Sequence, residues 1–470
     1  MYRRGMASSR RSHGRVHVVL VPGFAGFDAL GQLEYYAGVT PLLRAWQREH
    51  RAAPPMVLHY FDNLPTARVE TRAARLRQYL AKRYARGELR PEDAVALVGH
   101  STGGLDIRRL LLDLERHAGG PRGATRAFAV DGSREDAFQV PADELLHLVR
   151  RVVFLSVPQR GTNIADFVRR LPRRIPLAQL RLLVAAANAS LANEVEEAAA
   201  RGVGRAAHMD LLLAWGDAVA EMDAHAVAED PARVADAHEA GAELELFLTH
   251  VASDFGAIED LTAAPDPRRV SPAHFDEDQR AAELRTWADR GIDRRSYATV
   301  GRSPYRFEPG EVVAALDLVE LTRSPWRLAP GARGWADLAY LLAYRACAGG
   351  PFGVAAPAGG LGATAFGGSA RRTLELWDND GIVNTASMLW PDGEETRLVD
   401  GDHGDVIGHF RLVEAHGGPP QRRYHSYDLL RSGCGFREET FRAVWRDVFE
   451  FCAGAARGTR AVRGRAARAA

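Results

Sequence analysis

The sequence predicts an α/β fold: a mostly parallel sheet with helices on both faces and a large helical insertion. Three observations predict it. Short aliphatic runs recur at 16–21, 94–98 and 151–157. They are apolar almost throughout rather than alternating, as strands buried on both faces should be. Segments with helical periodicity lie between or after them, at 40–49, 68–86 and 105–117, and strands alternating with helices imply a parallel sheet.

Taken in order, Val16-His17-Val18-Val19-Leu20-Val21 ends at Pro22-Gly23, a strand closed by a turn. A second strand is expected at 56–60, and Gly87 ends the helix at 68–86. The run at 94–98 leads straight into Gly99-His100-Ser101-Thr102-Gly103-Gly104 and then a helix. From 164 to 240 the chain is Ala-, Leu- and Glu-rich and reads as helical, with a dense apolar set at 177–192. That set fits either a roof over an acyl group or a packed core helix. Further strands are expected at 247–254, 295–300, 373–377 and 396–399, a flexible Gly/Ala/Pro loop at 348–369, and a closing helix at 437–453. These elements divide the chain into a basic, disordered start (1–15), a core from 16–163 and 370–455, a cap or lid insertion with some core elements (164–369), and a frayed Arg/Ala tail (456–470).

Composition sets outer limits. The 470 residues are 46% hydrophobic and 26% charged, with 61 basic and 60 acidic side chains. A net charge of +1 gives no global field for nucleic acid. Three scattered cysteines make no C-x-x-C pair, against a cysteine-based zinc or redox site. No run of about 20 apolar residues occurs, so no transmembrane segment is expected. The basic start lacks a following apolar stretch, so a cytoplasmic location is expected.

Chemistry concentrates at Gly99-His100-Ser101-Thr102-Gly103, a G-x-S-x-G sequence. Alone it arises by chance about once in several chains of this length. Here an apolar strand precedes it and a helix follows, the context of a nucleophile elbow in an α/β-hydrolase fold. Acyl transfer also needs two N–H donors for an oxyanion. Thr102, next to the nucleophile, offers one; Phe24, in the glycine-flanked loop Pro22-Gly23-Phe24-Ala25-Gly26, offers the other. A serine hydroxyl needs a base and the base an orienting carboxylate, in the chain order Ser, acid, His. Asp380 in Asp378-Asn379-Asp380-Gly381 and His403 in Gly401-Asp402-His403-Gly404 each follow an expected strand. Asp378 is a rival acid; His409, His416 and His425 are rival bases.

Four blocks together resemble bacterial triacylglycerol lipases: 18–31 with Tyr35-Tyr36 and Gly38-Val39; 99–104; Val157-Pro158-Gln159-Arg160-Gly161-Thr162 with Ala165-Asp166; and Asn379-Asp380-Gly381-Ile382-Val383-Asn384-Thr385 with Asp402-His403-Gly404-Asp405. The likeness covers the first 170 residues and about 370–410, with an echo at Glu259-Asp260-Leu261-Thr262. It implies Ser101 as nucleophile, Asp380 as acid, His403 as base, and the amides of Phe24 and Thr102 as the oxyanion hole. Pro22 stands where the family usually has His. Many relatives hold a structural calcium beside the histidine loop. Asp405 stands at one ligand position, but His409 replaces an oxygen donor and 348–369 carries no acid, so no metal and no cofactor is expected.

The expected activity is hydrolysis of a small-molecule or lipid ester, as a lipase or carboxylesterase. Two alternatives stay open: acyl transfer to an alcohol by the same triad, and a non-catalytic binding protein on the same fold.

Overall fold

The structure is a computed structural model. It describes residues 14–24, 33–64, 67–118, 139–170, 256–262, 271–309, 335–349, 360–410 and 432–454, with short pieces at 29–30, 127–129, 311, 313–314 and 430. The expected strand at 247–254, the apolar set at 177–192 and the tail from 456 lie outside them.

The centre is an eight-stranded sheet. The strands are β1 (Val16–Val21), β4 (Met56–Tyr60), β5 (Ala94–His100), β8 (Val149–Leu155), β9 (Asp293–Val300), β10 (Gly362–Ala365), β11 (Arg371–Thr373) and β12 (Thr396–Asp400). The missing numbers belong to two small hairpins, β2 (Ala29–Leu30) with β3 (Leu33–Glu34) and β6 (Ala127–Ala129) with β7 (Gln139–Pro141). The order is β11-β10-β12-β9-β8-β5-β1-β4, and every pairing is parallel except β10 with β11. The carboxyl ends of β1, β5, β8, β9 and β12 therefore share one edge.

Both faces are covered, which is why the central strands read as continuous apolar runs. Val19 and Val21 of β1, with Val95 and Leu97 of β5, pack under α2 (Val69–Ala85) and α3 (Thr102–His117). The alternate residues Val16, Val18, Leu20, Ala96 and Val98 pack against α1 (Val39–Glu49) and the closing helix (Glu438–Ala453). The period of two along each strand sets these faces. This is an α/β fold, a mostly parallel sheet with helices on both faces. Among the described residues no helix is long and apolar enough to cross a membrane.

Two expectations change. The strand expected at 373–377 lies earlier, at β11, and shares only Thr373 with it, because the Asp378 carboxylate accepts the Glu375 N–H (2.9 Å) and closes residues 375–378 into a turn. The loop expected at 348–369 contains β10, whose sequence Gly-Ala-Thr-Ala carries little strand propensity and is held by its neighbours β12 and β11. Both β9 and β10 enter the sheet from within 164–369. The helix before β9, Glu277–Arg290, opens with a capping box between Asp276 and Gln279 and ends on left-handed Gly291.

One polar pair is buried far from the site edge. His17 of β1 and His59 of β4 share a 2.8 Å hydrogen bond, and His17 lies 3.4 Å from Asp93. Burial, with Arg83 and His17 adding to it, lowers the His59 pKa to about 4. Above about pH 6.5 both folded and unfolded chains hold this group neutral, so it leaves stability unchanged. As pH falls from 6.5 towards 4 the unfolded chain takes up the proton first, and stability is lost. The loss assigned to His59 is up to about 3 kcal/mol. Urea unfolding across this window should show a shallower acid slope for His59→Gln than for wild type; equal slopes would refute the assignment.

Candidate active site

Ser101 sits between β5 and α3, at the middle of the sheet edge. Its backbone is left-handed (φ 53°, ψ −134°). Among the described residues only Ser156, at the end of β8, is another non-glycine with positive φ. Such a conformation costs of order 1–3 kcal/mol and persists only where the surroundings impose it. The surroundings here are tight. A Cβ on Gly103 would lie 2.3 Å from the Val21 carbonyl oxygen, and one on Gly23 would lie 2.5 Å from Ser101 Cβ. The chain after β1 thus runs directly against the turn that carries Ser101.

That loop is held from two sides. Arg72 of α2, fully buried, donates from Nη2 to the carbonyls of Pro22 (2.7 Å) and Gly23 (3.0 Å). Its Nε pairs with the buried Asp106 of α3 (2.9 Å), which also accepts from Asn63 (3.1 Å). Burial pushes the Asp106 carboxyl up to about 7, with Arg72 pulling the other way. The Gly23 N–H is taken by Tyr35 Oη (2.8 Å). Because a trans peptide sets C=O and N–H on opposite sides, fixing the Gly23 carbonyl on Arg72 turns the Phe24 N–H the other way. Thr102 opens α3, where the first amides have no partner within the helix. Phe24 itself is half-buried against the core.

His403 lies just past β12, as the sequence predicts. Its Nδ1 is 2.7 Å from Asp380 Oδ2, and its backbone N–H donates to the Asp380 carbonyl (3.1 Å). Asp380 is fully buried, and its carboxylate accepts four hydrogen bonds. Oδ2 takes His403 Nδ1 and Thr299 Oγ1 (2.6 Å); Oδ1 takes the amides of Ile382 (3.1 Å) and Val383 (2.8 Å). Thr299 has one hydroxyl proton, directed to Asp380, so its 2.8 Å contact with Ser156 is donated by Ser156. A carboxylate oxygen accepts, so the proton of this bond is on His403 Nδ1, and Nε2 is the ring atom turned away from Asp380.

Asp380, expected just past a strand, does not follow a strand of its own. Asp380 docks on the end of β9, where the Gly301 N–H meets the Asn379 carbonyl (3.0 Å) and Thr385 Oγ1 donates to the Thr299 carbonyl (2.8 Å). Thr299 and Asp380 are 81 positions apart. The rival acid Asp378 serves its own turn. His409 faces the Tyr35 carbonyl (3.0 Å), and His416 and His425 lie outside the described residues.

The structure brings Asp380 and His403 into contact and sets His403 beside the elbow. The His403 ring lies 4.6 Å, centroid to centroid, from that of His100, the residue before Ser101. Among the described residues no hydrogen bond joins Ser101 Oγ to His403. Asp402, Asp405 and Cys434 offer ligand-type atoms within 4.8 Å of one another. They brace the histidine loop: Asp402 accepts from the Gly404 amide and Ser432, and Asp405 from the Asp402 amide and Cys434. Arg72, Asp106, Thr299, Ser156 and the roles of Tyr35 and His100 were not legible beforehand. Only the Tyr35-Tyr36 pair and the G-H-S start of the elbow gave any signal.

No protein-family model and no curated protein matches the sequence. Among solved structures the chain is similar to a lipase from Pelosinus fermentans (14% identity, covering 84% of this chain and 94% of that one, TM-score 0.37). It is also similar to a metagenomic carboxyl esterase (12%, 93% and 77%, TM-score 0.35) and to a mature lipase of Bacillus licheniformis (11%, 84% and 87%, TM-score 0.33).

Thr299→Val keeps the side chain's shape but removes one of the four donors to the buried Asp380 carboxylate. Stability should fall by about 1.5–3 kcal/mol, the range for hydrogen bonds to charged groups. Chemical denaturation of the variant measures this; an unchanged midpoint would show that the hydroxyl does not support the acid.

Proposed function

We propose that the protein hydrolyses carboxylic esters by a serine mechanism, with Ser101 as nucleophile, His403 as base and Asp380 as acid. The amides of Phe24 and Thr102 form the oxyanion hole. One observation carries this reading: a buried His403–Asp380 pair sits beside a serine held in a left-handed strand-to-helix turn.

In this reading each step has a named group. Ser101 Oγ attacks the ester carbonyl, and its proton passes to His403 Nε2. Asp380, held by its other three donors, stabilises the imidazolium and keeps the ring in one tautomer. Negative charge on the carbonyl oxygen meets the N–H of Thr102 at the α3 terminus and that of Phe24, both fixed before substrate arrives. His403 then protonates the leaving alkoxide, leaving an acyl group on Ser101. A water that gives its proton to His403 releases the acid and restores the serine. Among the described residues the link between Ser101 and His403 is open, and such contacts commonly tighten when substrate binds. The substrate class is a small-molecule or lipid ester.

Fluorophosphonate labelling tests the nucleophile. Wild type should be labelled and Ser101→Ala should not; labelling that survives the substitution would reject the assignment. Asp380→Asn should lower kcat on p-nitrophenyl esters by about 10⁴-fold, because an amide in that place favours the wrong histidine tautomer. Running the ester series from short to long acyl chains sorts esterase from lipase. Adding alcohol acceptors and looking for transesters tests acyl transfer.

A further inference from the structure

A second hydrogen-bonded chain crosses the site edge and involves none of the three groups assigned above as nucleophile, acid or base. The Gly23 N–H lies 2.8 Å from Tyr35 Oη. Tyr35 Oη lies 2.7 Å from His100 Nδ1. His100 Nε2 lies 2.9 Å from the backbone carbonyl of His403. It joins the loop after β1, the residue before Ser101, and the loop carrying His403.

Proton counting gives this chain a single direction. A backbone carbonyl can only accept, so the proton of the last link sits on His100 Nε2. His100 is fully buried, and burial together with the nearby His403 ring lowers its pKa well below the usual value, so the ring is neutral. Nδ1 therefore has a lone pair and must accept from the Tyr35 hydroxyl. With its proton committed, Tyr35 Oη can receive the Gly23 N–H. Reversing any link leaves two donors or two acceptors face to face.

We infer that Tyr35 and His100 are positioning residues, forming a one-way strap that fixes the Gly23 amide against the His403 carbonyl and so sets the oxyanion loop relative to the base. Its catalytic consequence rests on the proposed ester hydrolysis; its direction does not. The strap complements Arg72. Arg72 holds the Gly23 carbonyl and Tyr35 holds the Gly23 N–H, so neither group of Gly23 is left for substrate. The next amide, that of Phe24, is the one presented. Without Tyr35 Oη the Gly23 N–H and His100 Nδ1 both lose their partner at once. The Pro22–Gly23 peptide is then held by Arg72 alone, and the neighbouring Phe24 amide loses one of the two sides that fix its direction. His409, which holds the Tyr35 carbonyl, keeps the tyrosine backbone in place in such a variant.

Two measurements on the full chain test this. With ¹⁵N-labelled histidine, the ring resonances of His100, assigned by their loss in His100→Gln, should report a neutral ring with its proton on Nε2. A proton on Nδ1, or an imidazolium at neutral pH, overturns the strap whether or not the protein turns over any ester. In steady-state hydrolysis, Tyr35→Phe should lower kcat about 10- to 100-fold with KM changed less than about 3-fold, since the loss falls on an oxyanion donor rather than on binding. Thermal unfolding should show the variant folded. His100→Gln, whose amide keeps an N–H for the His403 carbonyl, should retain more activity than His100→Leu. A Tyr35→Phe enzyme with wild-type kcat, or a Gln variant no better than Leu, refutes the positioning role. If wild type neither hydrolyses esters nor takes the fluorophosphonate, the proposed reaction fails and the tautomer alone decides the strap.

Discussion

Everything at the site edge is arranged around a backbone turn that an L-amino acid enters only under compulsion. At Ser101 the chain leaves β5 and enters α3 through a left-handed residue. A strain of about 1–3 kcal/mol is carried there. What carries it is the middle of the sheet: β5 pairs with β1 on one side and β8 on the other, and the Ser101 N–H is bound by the Leu155 carbonyl at 3.0 Å. Glycine at 103 is a consequence, because the Val21 carbonyl already fills the space of its Cβ. So is glycine at 23, whose backbone lies against the serine side chain. The turn thus dictates the sequence of a loop about 80 positions away, because the backbone of Gly23 runs against the serine side chain.

Polar side chains then fix the loops that the sheet alone would leave loose. Burying a guanidinium and a carboxylate is costly, and an ion pair inside a protein returns little net stability. What Arg72 and Asp106 supply is definition. Two consecutive carbonyls, of Pro22 and Gly23, are bound to one rigid planar group. Asp380 follows the same logic with reversed charge: four donors surround it, from two amides, a hydroxyl and an imidazole. Each such clamp uses up hydrogen-bonding groups, and what remains defines the site. Gly23 has no group left, Asp380 has no exposed oxygen, and His403 Nε2 bonds to no side chain or backbone group among the described residues.

Sequence legibility follows the range of the signal. β1, β5 and β12 are legible because burial on both faces or an adjoining turn marks them locally. Ser101 is legible because strain, crowding and the following helix all leave residues within a few positions of it. His403 is legible from its place after β12. Asp380 could be named but not placed: its true neighbour is Thr299, and nothing in either segment announces the other. β10 is hidden because Gly-Ala-Thr-Ala has no pattern of its own and becomes a strand only when β12 offers an edge. Arg72 and Asp106 are hidden because an arginine and an aspartate on amphipathic helices look like solvated faces. Only the folded arrangement shows that both are buried. Tyr35 and His100 fall between these cases: both stand within quoted motifs, yet their pairing depends on a loop and an elbow meeting in space.

The loop of Asp380 shows how such an arrangement separates the placing of a side chain from the length of chain before it. Between β9 and Asn379 the chain makes a long excursion that includes the helix Trp335–Ala348 and the strands β10 and β11. Asp380 is nonetheless placed by bonds at its own two flanks: Asn379 to Gly301 before it, and Thr385 to the Thr299 carbonyl after it. The side chain of Thr299 reaches the carboxylate between them. These bonds return to one short segment at the end of β9. The geometry between Asp380 and His403 is therefore set locally, by β9 and the neighbouring β12, which are paired residue for residue from Ser296–Thr396 to Val300–Asp400. The excursion has to bring Asp380 back to β9 but does not have to aim it. The aim comes from a strand register, the stiffest element available.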